Sequence, residues 1–257
     1  MTARHFLALD GARTLPTDSL LLVERAVGDL VAAAAMGVVH GGAGLGKTFA
    51  VERALRDTAR HEDAPSVCWV SFPSRPTMRL VAATLLEELS GVAAGRRDRF
   101  TLTALLLEEL SGGAVGTRVI VVDEAQQLNQ ECIEFLRYLH DHRLTRFTLL
   151  LVGGDGAWQV LSREPMLRSR IYRRVRVAPL TTAQVTALIP TFHPVYGGVD
   201  AQLLAFIDDH FAHGNLRDWA AFTATAAGLC LEAGRDRVDA EITRNAFALH
   251  GGGVGAH

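Results

Sequence analysis

The chain has 257 residues, 49% hydrophobic and 21% charged, a balance that suits one large globular domain or a main domain with a small appendage and excludes a disordered or collagen-like chain. A formal net charge of −2 excludes a strongly basic nucleic-acid binder, so any DNA contact must be local. Three scattered cysteines, Cys68, Cys132 and Cys230, exclude a disulfide framework and a CxxC zinc site and are expected to be reduced and partly buried.

No apolar run approaches the roughly 18 to 20 residues of a membrane span. The best candidate, Leu20 to Met36, is broken by Glu24, Arg25 and Asp29. The opening MTARHFLALDGAR lacks a basic stretch followed by an apolar core, so no signal peptide is expected and a cytoplasmic location follows. Of the 26 basic residues only Lys47 is a lysine. The arginine and alanine richness has the look of a GC-rich coding sequence, which makes the position of the one lysine informative.

In chain order, hydrophobic runs read against helical and strand periods predict an N-terminal segment, 1–35, whose entry helix at 17–35 is capped by Thr17 or Asp18 behind Pro16. An α/β region over 36–178 follows. It begins with strand GVVH at 37–40, a helix from Lys47, strand SVCWVSF at 66–72 and a helix opened by Pro76. A Gly- and Arg-rich link then leads to a helix near 100–111, strand RVIVVDE at 118–124, a helix at 127–141, strand FTLLLVGG at 147–154 and a short helix through Leu161. Residues 179–250 read as three or four helices, and 251–257 (GGGVGAH) as a flexible tail. Strands and helices alternating, then helices alone, imply an α/β domain with a parallel sheet flanked by helices, followed by a small α-helical lid.

The strongest chemical signal is GGAGLGKT: Gly41, Gly42, Ala43, Gly44, Leu45, Gly46, Lys47 and Thr48 fit GxxxxGK[ST] between an apolar strand and a helix. Glycines let successive backbone N–H groups turn inward onto phosphates, and the helix adds its positive end. Lys47 is then placed for the β- and γ-phosphates and the Thr48 hydroxyl for Mg²⁺, so ATP and Mg²⁺ are the expected cofactors. In a chain that otherwise uses arginine, a compact ammonium stands where a guanidinium fork would not fit.

The second signal is VIVVDEAQQL, residues 119–128, an apolar strand ending in two acids. Asp123 is expected to hold Mg²⁺ and Glu124 to act as general base on the attacking water. The alternative is that the pair merely opens a helix favourably. After the fourth strand, Arg168, Arg170, Arg173 and Arg174 form a basic segment. Arg170 is the first candidate for a finger acting on a neighbour's nucleotide and Arg168 the second, with a solvated basic face as the plain alternative. In HGNLRDW, residues 213–219, Asn215 reads as an N-cap. Arg217 then lies in the first helical turn, where a cation is unfavourable to the dipole and a phosphate partner would explain it.

Together these motifs resemble the AAA+ ATPases, most nearly the transposition ATPases of the TniB, TnsC and MuB type, with ExeA-like secretion ATPases close by. The likeness runs from the entry helix to about residue 248. It implies that Arg217 is the sensor 2 arginine and that Arg170 acts in trans. It also implies self-association into a ring or helical filament on duplex DNA in the ATP state, recruitment of a transposase or integrase partner, and regulation of transposition through target-site choice. The alternatives are an ExeA-like assembly ATPase and a nucleotide-dependent signalling switch without DNA. A two-domain DEAD-box helicase is discounted, because only a helical lid fits after residue 178.

One departure from that pattern lies at the end of the fourth strand, where a polar sensor 1 side chain is usual. Here stand Gly153, Gly154 and Asp155, which implies slow hydrolysis. DNA contacts, if made, are expected from the local clusters Arg75 and Arg79, and Arg96, Arg97 and Arg99, with solvated loops as the alternative. His140 and His142 flanking Asp141 read as a helix end rather than a metal site.

Overall fold

The computed structural model describes residues 7, 9–59, 64–111 and 118–251. Among them the chain forms two compact units. One is drawn from Leu22–Ala43 and Ala50–Val177, the other from the described parts of Met1–Leu21, Gly44–Phe49 and Ala178–His257.

The first unit is built on five strands: β1 (Met36–Gly41), β2 (Ser66–Ser71), β3 (Arg118–Asp123), β4 (Thr148–Gly153) and β5 (Ile171–Val177). They lie in the order β2-β3-β4-β1-β5, and every pairing is parallel. β1 and β4 are buried at every position. A strand covered on both faces has no polar side to present, so these two read as unbroken apolar runs rather than alternations. The flanking helices in chain order are α1 (Asp18–Ala33), α2 (Lys47–Thr58), α3 (Met78–Ser90), α4 (Arg99–Ser111), α5 (Gln130–Asp141), α6 (Ala157–Leu161) and α7 (Pro165–Arg170). Met36, Leu85, Leu102, Leu106, Ile120, Leu139 and Leu149 are wholly buried in the shared core. Truncating any one of the leucines to alanine costs about 2–5 kcal/mol.

The second unit gathers α8 (Thr182–Phe192), α9 (Ala201–Ile207), α10 (Leu216–Glu232) and α11 (Ala240–Leu249) around Trp219, Tyr196 and Phe222. Each helix has a chemical start signal. Thr181 and Gln184 form a reciprocal capping box, and Asp200, Asn215 and Asp239 accept from the first free N–H groups of α9, α10 and α11. The Tyr196 hydroxyl is buried against Thr223 Oγ1 at 2.8 Å, and burial holds its pKa well above the ordinary tyrosine value. Among the described residues, no helix is long and apolar enough to cross a membrane.

Of the two caps expected for the entry helix, Thr17 is the one observed, its hydroxyl accepting from Leu20 N at 3.1 Å. Other elements differ from the sequence reading. The helix expected to open at Pro76 begins at Met78, because Thr77 caps it by accepting from Leu80 N. The helix expected from residue 127 begins only at Gln130. A 3₁₀ turn at Ala125–Gln127 intervenes, and Asn129 caps α5 by accepting from Cys132 N. The strand over IYRRVRV went unread, although its alternating burial is the ordinary signature of an edge strand with one wet face. The expected tail beyond Gly251 lies outside the described residues.

All three cysteines are free and buried. Burial pushes the Cys68 thiol up to about 12 and the Cys132 thiol up to about 11, each from an ordinary 9.0. Since the folded chain favours the neutral thiol, this contribution to stability is whole below about pH 9 and is lost as pH rises through the folded values. Chemical denaturation between pH 8 and 11 should therefore show stability falling above pH 9, and serine at both positions should flatten that fall. A native chain whose Cys68 and Cys132 react with a thiol reagent at pH 8 as fast as the unfolded chain would contradict the burial argument.

Candidate functional site

β1 ends at Gly41 and α2 begins at Lys47, so GGAGLGKT forms the turn between a buried strand and a helix. In the second unit, Gly44 adopts φ +78°, and a Cβ there would lie 2.3 Å from Asn215 Oδ1 and 2.9 Å from Arg217 Cβ. Only glycine fits that position. The Gly44 carbonyl accepts from Arg217 N at 3.0 Å, and the same N–H reaches Asn215 Oδ1 at 2.9 Å. The loop backbone is thus bonded directly to the first turn of α10, which carries Arg217, itself exposed. The N-cap assigned to Asn215 is observed. Lys47, at the first position of α2, is half-buried, and Thr48 is exposed.

A residue that the sequence did not single out holds this turn. Asp208 begins a π-helical segment, Asp208–Ala212, and is buried. Its Oδ1 accepts from Gly214 N at 2.7 Å and from the Trp219 indole N–H at 3.0 Å, while its carbonyl accepts from His213 N. His213 and Gly214 both have positive φ, so the chain reverses sharply just before Asn215. A buried carboxylate oxygen that accepts from two donors fixes the reversal. Nothing in IDDHF distinguishes Asp208 from Asp209 in advance; only the contacts do.

In the first unit, β3 delivers Asp123 and Glu124 to the carboxyl edge of the sheet. Asp123 Oδ1 accepts from Glu124 N at 2.8 Å. Glu124 is exposed and left-handed, φ 52° and ψ 39°, an uncommon state for a non-glycine residue and typical of constrained functional positions. Gln126, part of the DEAQ run but given no role of its own from the sequence, donates from Nε2 to Glu124 Oε2 and accepts at Oε1 from Gly154 N at 2.8 Å. Asp155, which follows the two glycines at the end of β4, is exposed.

The arginine segment divides by partner. Arg170 Nε lies 3.1 Å from both carboxylate oxygens of Asp141. It precedes Ile171, which pairs with Met36 at the start of β1, so it stands at the amino edge of the sheet, opposite Gly41 and Asp123. Arg170 therefore serves no phosphate at the carboxyl edge of its own sheet. Arg173 pairs with Asp29 and lies over the Tyr172 ring; Arg174 donates to His40 Nε2 at 3.0 Å and lies over Trp158. Arg168 is exposed, and its side chain makes no hydrogen bond or ion pair among the described residues.

Of the suggested DNA-contacting arginines, Arg79 bonds to the carbonyls of Arg97 and Gly95, Arg97 to those of Ala93 and Ala94, and Arg99 stacks on Phe100. These bonds shape the link before α4. Arg75 and Arg96 are exposed, with side chains unpaired among the described residues. His140 bonds to the Ala34 carbonyl, and burial holds its pKa below the ordinary histidine value.

A family model described as an AAA domain matches residues 31–161, just over half of the chain. Similar folds include the ORC2 protein of Aeropyrum pernix in its ADPNP–ADP complexes (TM-score 0.67, 16% identity, covering 93% of this chain and 70% of that one). The Cdc6p structure from Pyrobaculum aerophilum gives a TM-score of 0.71 at 19% identity, covering 93% and 68%. The Aeropyrum pernix ORC1 protein in complex with DNA gives 0.66 at 22%, covering 89% and 64%. No curated protein matches the sequence. At such identities the structures speak to fold, and the family match carries the assignment: with its parallel sheet, P-loop and terminal helices, the chain belongs to the AAA+ family of P-loop NTPases.

Proposed function

We propose that this protein binds and hydrolyses ATP with Mg²⁺, assembles on duplex DNA in the ATP-bound state, and regulates transposition by marking a target and recruiting a transposase. The observation that carries the nucleotide part is the glycine turn bonded through Gly44 to the helix turn bearing Arg217. A loop that holds phosphates and an arginine that senses them then share one backbone hydrogen bond.

The donor set fits the cofactors. Backbone N–H groups at the start of α2 suit phosphate oxygens, and the Thr48 hydroxyl and Asp123 carboxylate are the hard oxygen ligands that Mg²⁺ prefers. Bound Mg²⁺ supplies charge neutralisation on the phosphates. Lys47 binds phosphate, Glu124 accepts the proton of the attacking water, and Arg217 senses the nucleotide from α10. Arg170 is assigned to act on a neighbouring subunit's nucleotide, leaving Asp141 as it does so, because it stands at the opposite sheet edge from its own Asp123.

The DNA part rests on exposed Arg75 and Arg96 and on the residue pattern DEAQ with GNLR. A second reading, an initiator-like DNA-bound switch without a transposase, is favoured by the fold likeness to an ORC1 solved with DNA. Both readings share ATP-dependent assembly on DNA; a transposase pull-down separates them.

Three results are expected. Negative-stain microscopy at low salt should show rings or filaments on duplex DNA with a slow ATP analogue and none with ADP, and no ATP-dependent assembly would end both DNA readings. Alanine at both Arg75 and Arg96 should lower the salt slope of binding by about 2, one for each lost phosphate contact. In the third experiment, Lys47→Ala and Arg170→Ala chains, each inactive alone by about 10³-fold or more, should recover turnover when mixed. Recovery with Arg168→Ala in place of Arg170→Ala would move the finger to Arg168, and no recovery with either would remove the trans role.

A further inference from the structure

The expected polar side chain at the end of β4 is absent, yet the space it would fill is occupied. Gly153 and Gly154 bring only backbone to that point, and the Gln126 amide enters from the 3₁₀ turn after β3. A Cβ on Gly153 would lie 2.5 Å from Gln126 Oε1 and 2.6 Å from Ala157 Cβ, so the side-chain-free strand end is what admits the glutamine. Its Oε1 accepts from Gly154 N at 2.8 Å and its Nε2 donates to Glu124 Oε2. The two bonds fix the amide's orientation, because only oxygen can face the N–H and only nitrogen can face the carboxylate.

No other common side chain of this length does both jobs. Glutamate accepts from Gly154 but sets a second negative charge against Glu124; leucine does neither; asparagine is one methylene short. The backbone on either side is held as well. Glu124 N donates to Asp123 Oδ1, Gln127 N donates to the Glu124 carbonyl, and the Gln127 carbonyl accepts from Arg75 N. Ala125, between the two partners, is wholly buried. The contact with Glu124 is therefore made from a fixed platform, although Glu124 itself is exposed and without that bond would sample its rotamers in water.

We infer that Gln126 is a positioning residue for the proposed general base, joining the Glu124 carboxylate to the backbone end of β4 and standing in for the missing sensor 1 side chain. With Oε2 engaged by the amide, Oε1 is left to accept a proton, and its direction is set by a hydrogen bond rather than by chance. Positioning of this kind acts on the rate of the chemical step and not on nucleotide affinity. The inference rests on the reading of Glu124 as the base.

The test is steady-state ATP hydrolysis by the full chain with Mg²⁺ and duplex DNA, with folding checked by circular dichroism. Gln126→Leu should lower kcat about 10- to 100-fold with KM for ATP within about twofold of wild type. Gln126→Glu, which keeps the size and the bond to Gly154, should fall in the same direction and decides the matter if the leucine variant does not fold. In a Glu124→Gln background, Gln126→Leu should cause no further loss, since both changes act through one carboxylate. Normal turnover by Glu124→Gln would show that the base itself is misassigned. An inactive Glu124→Gln beside Gln126 variants with wild-type or raised kcat would overturn the inference alone, as would a loss expressed mainly in KM.

Discussion

Parallel pairing of β3, β4 and β1 is the constraint on which the candidate site depends. Strands that run the same way deliver their carboxyl ends to one side, and here the register is close: His40 stands beside Gly153, Val122 beside Leu151, and Ser71 beside Asp123. The end of β1 that begins the phosphate loop, the paired acids after β3 and the bare glycines after β4 therefore arrive together. This is the crevice at strand carboxyl ends where open α/β sheets bind ligands. The same parallelism carries Arg170, ahead of β5, to the opposite edge. An arginine there faces away from the acids of its own sheet, which is why its proposed role is on a neighbour's nucleotide.

Within the helical unit, the glycine loop and α10 are joined through backbone. The Gly44 carbonyl is bonded by Arg217 N, and the reversal that presents that N–H is held by the buried Asp208 carboxylate with Trp219 and Gly214. A phosphate loop whose carbonyl is a helix-cap acceptor changes shape only if the cap changes too. If the loop takes nucleotide as proposed, this bond links its shape to the first turn of α10.

Much of this was legible in the residues. GGAGLGKT between an apolar run and a helix, VIVVDE as a buried strand with an acidic tip, and Asn215 as a cap all carry local signals whose physics does not depend on distant partners. The features that escaped have no such signal. IYRRVRV alternates as an edge strand does, but its arginines drew attention to charge and away from period. Gln126 and Asp208 matter only because the fold brings Gly154 to one and Trp219 to the other, and no spacing rule connects residues so far apart in the chain. Pro76 misplaces the helix start by two residues, because Thr77 is the cap and Met78 the first helical residue.

The central claim is that the glycine turn with the chain's only lysine holds magnesium nucleotide. Calorimetric titration of ATP into wild-type and Lys47→Ala chains, with Mg²⁺ and with chelator, tests it most directly. The account predicts wild-type binding that tightens with Mg²⁺ and an affinity lower by at least about tenfold in Lys47→Ala, which corresponds to about 1.4 kcal/mol. Equal affinity for the two chains would contradict it.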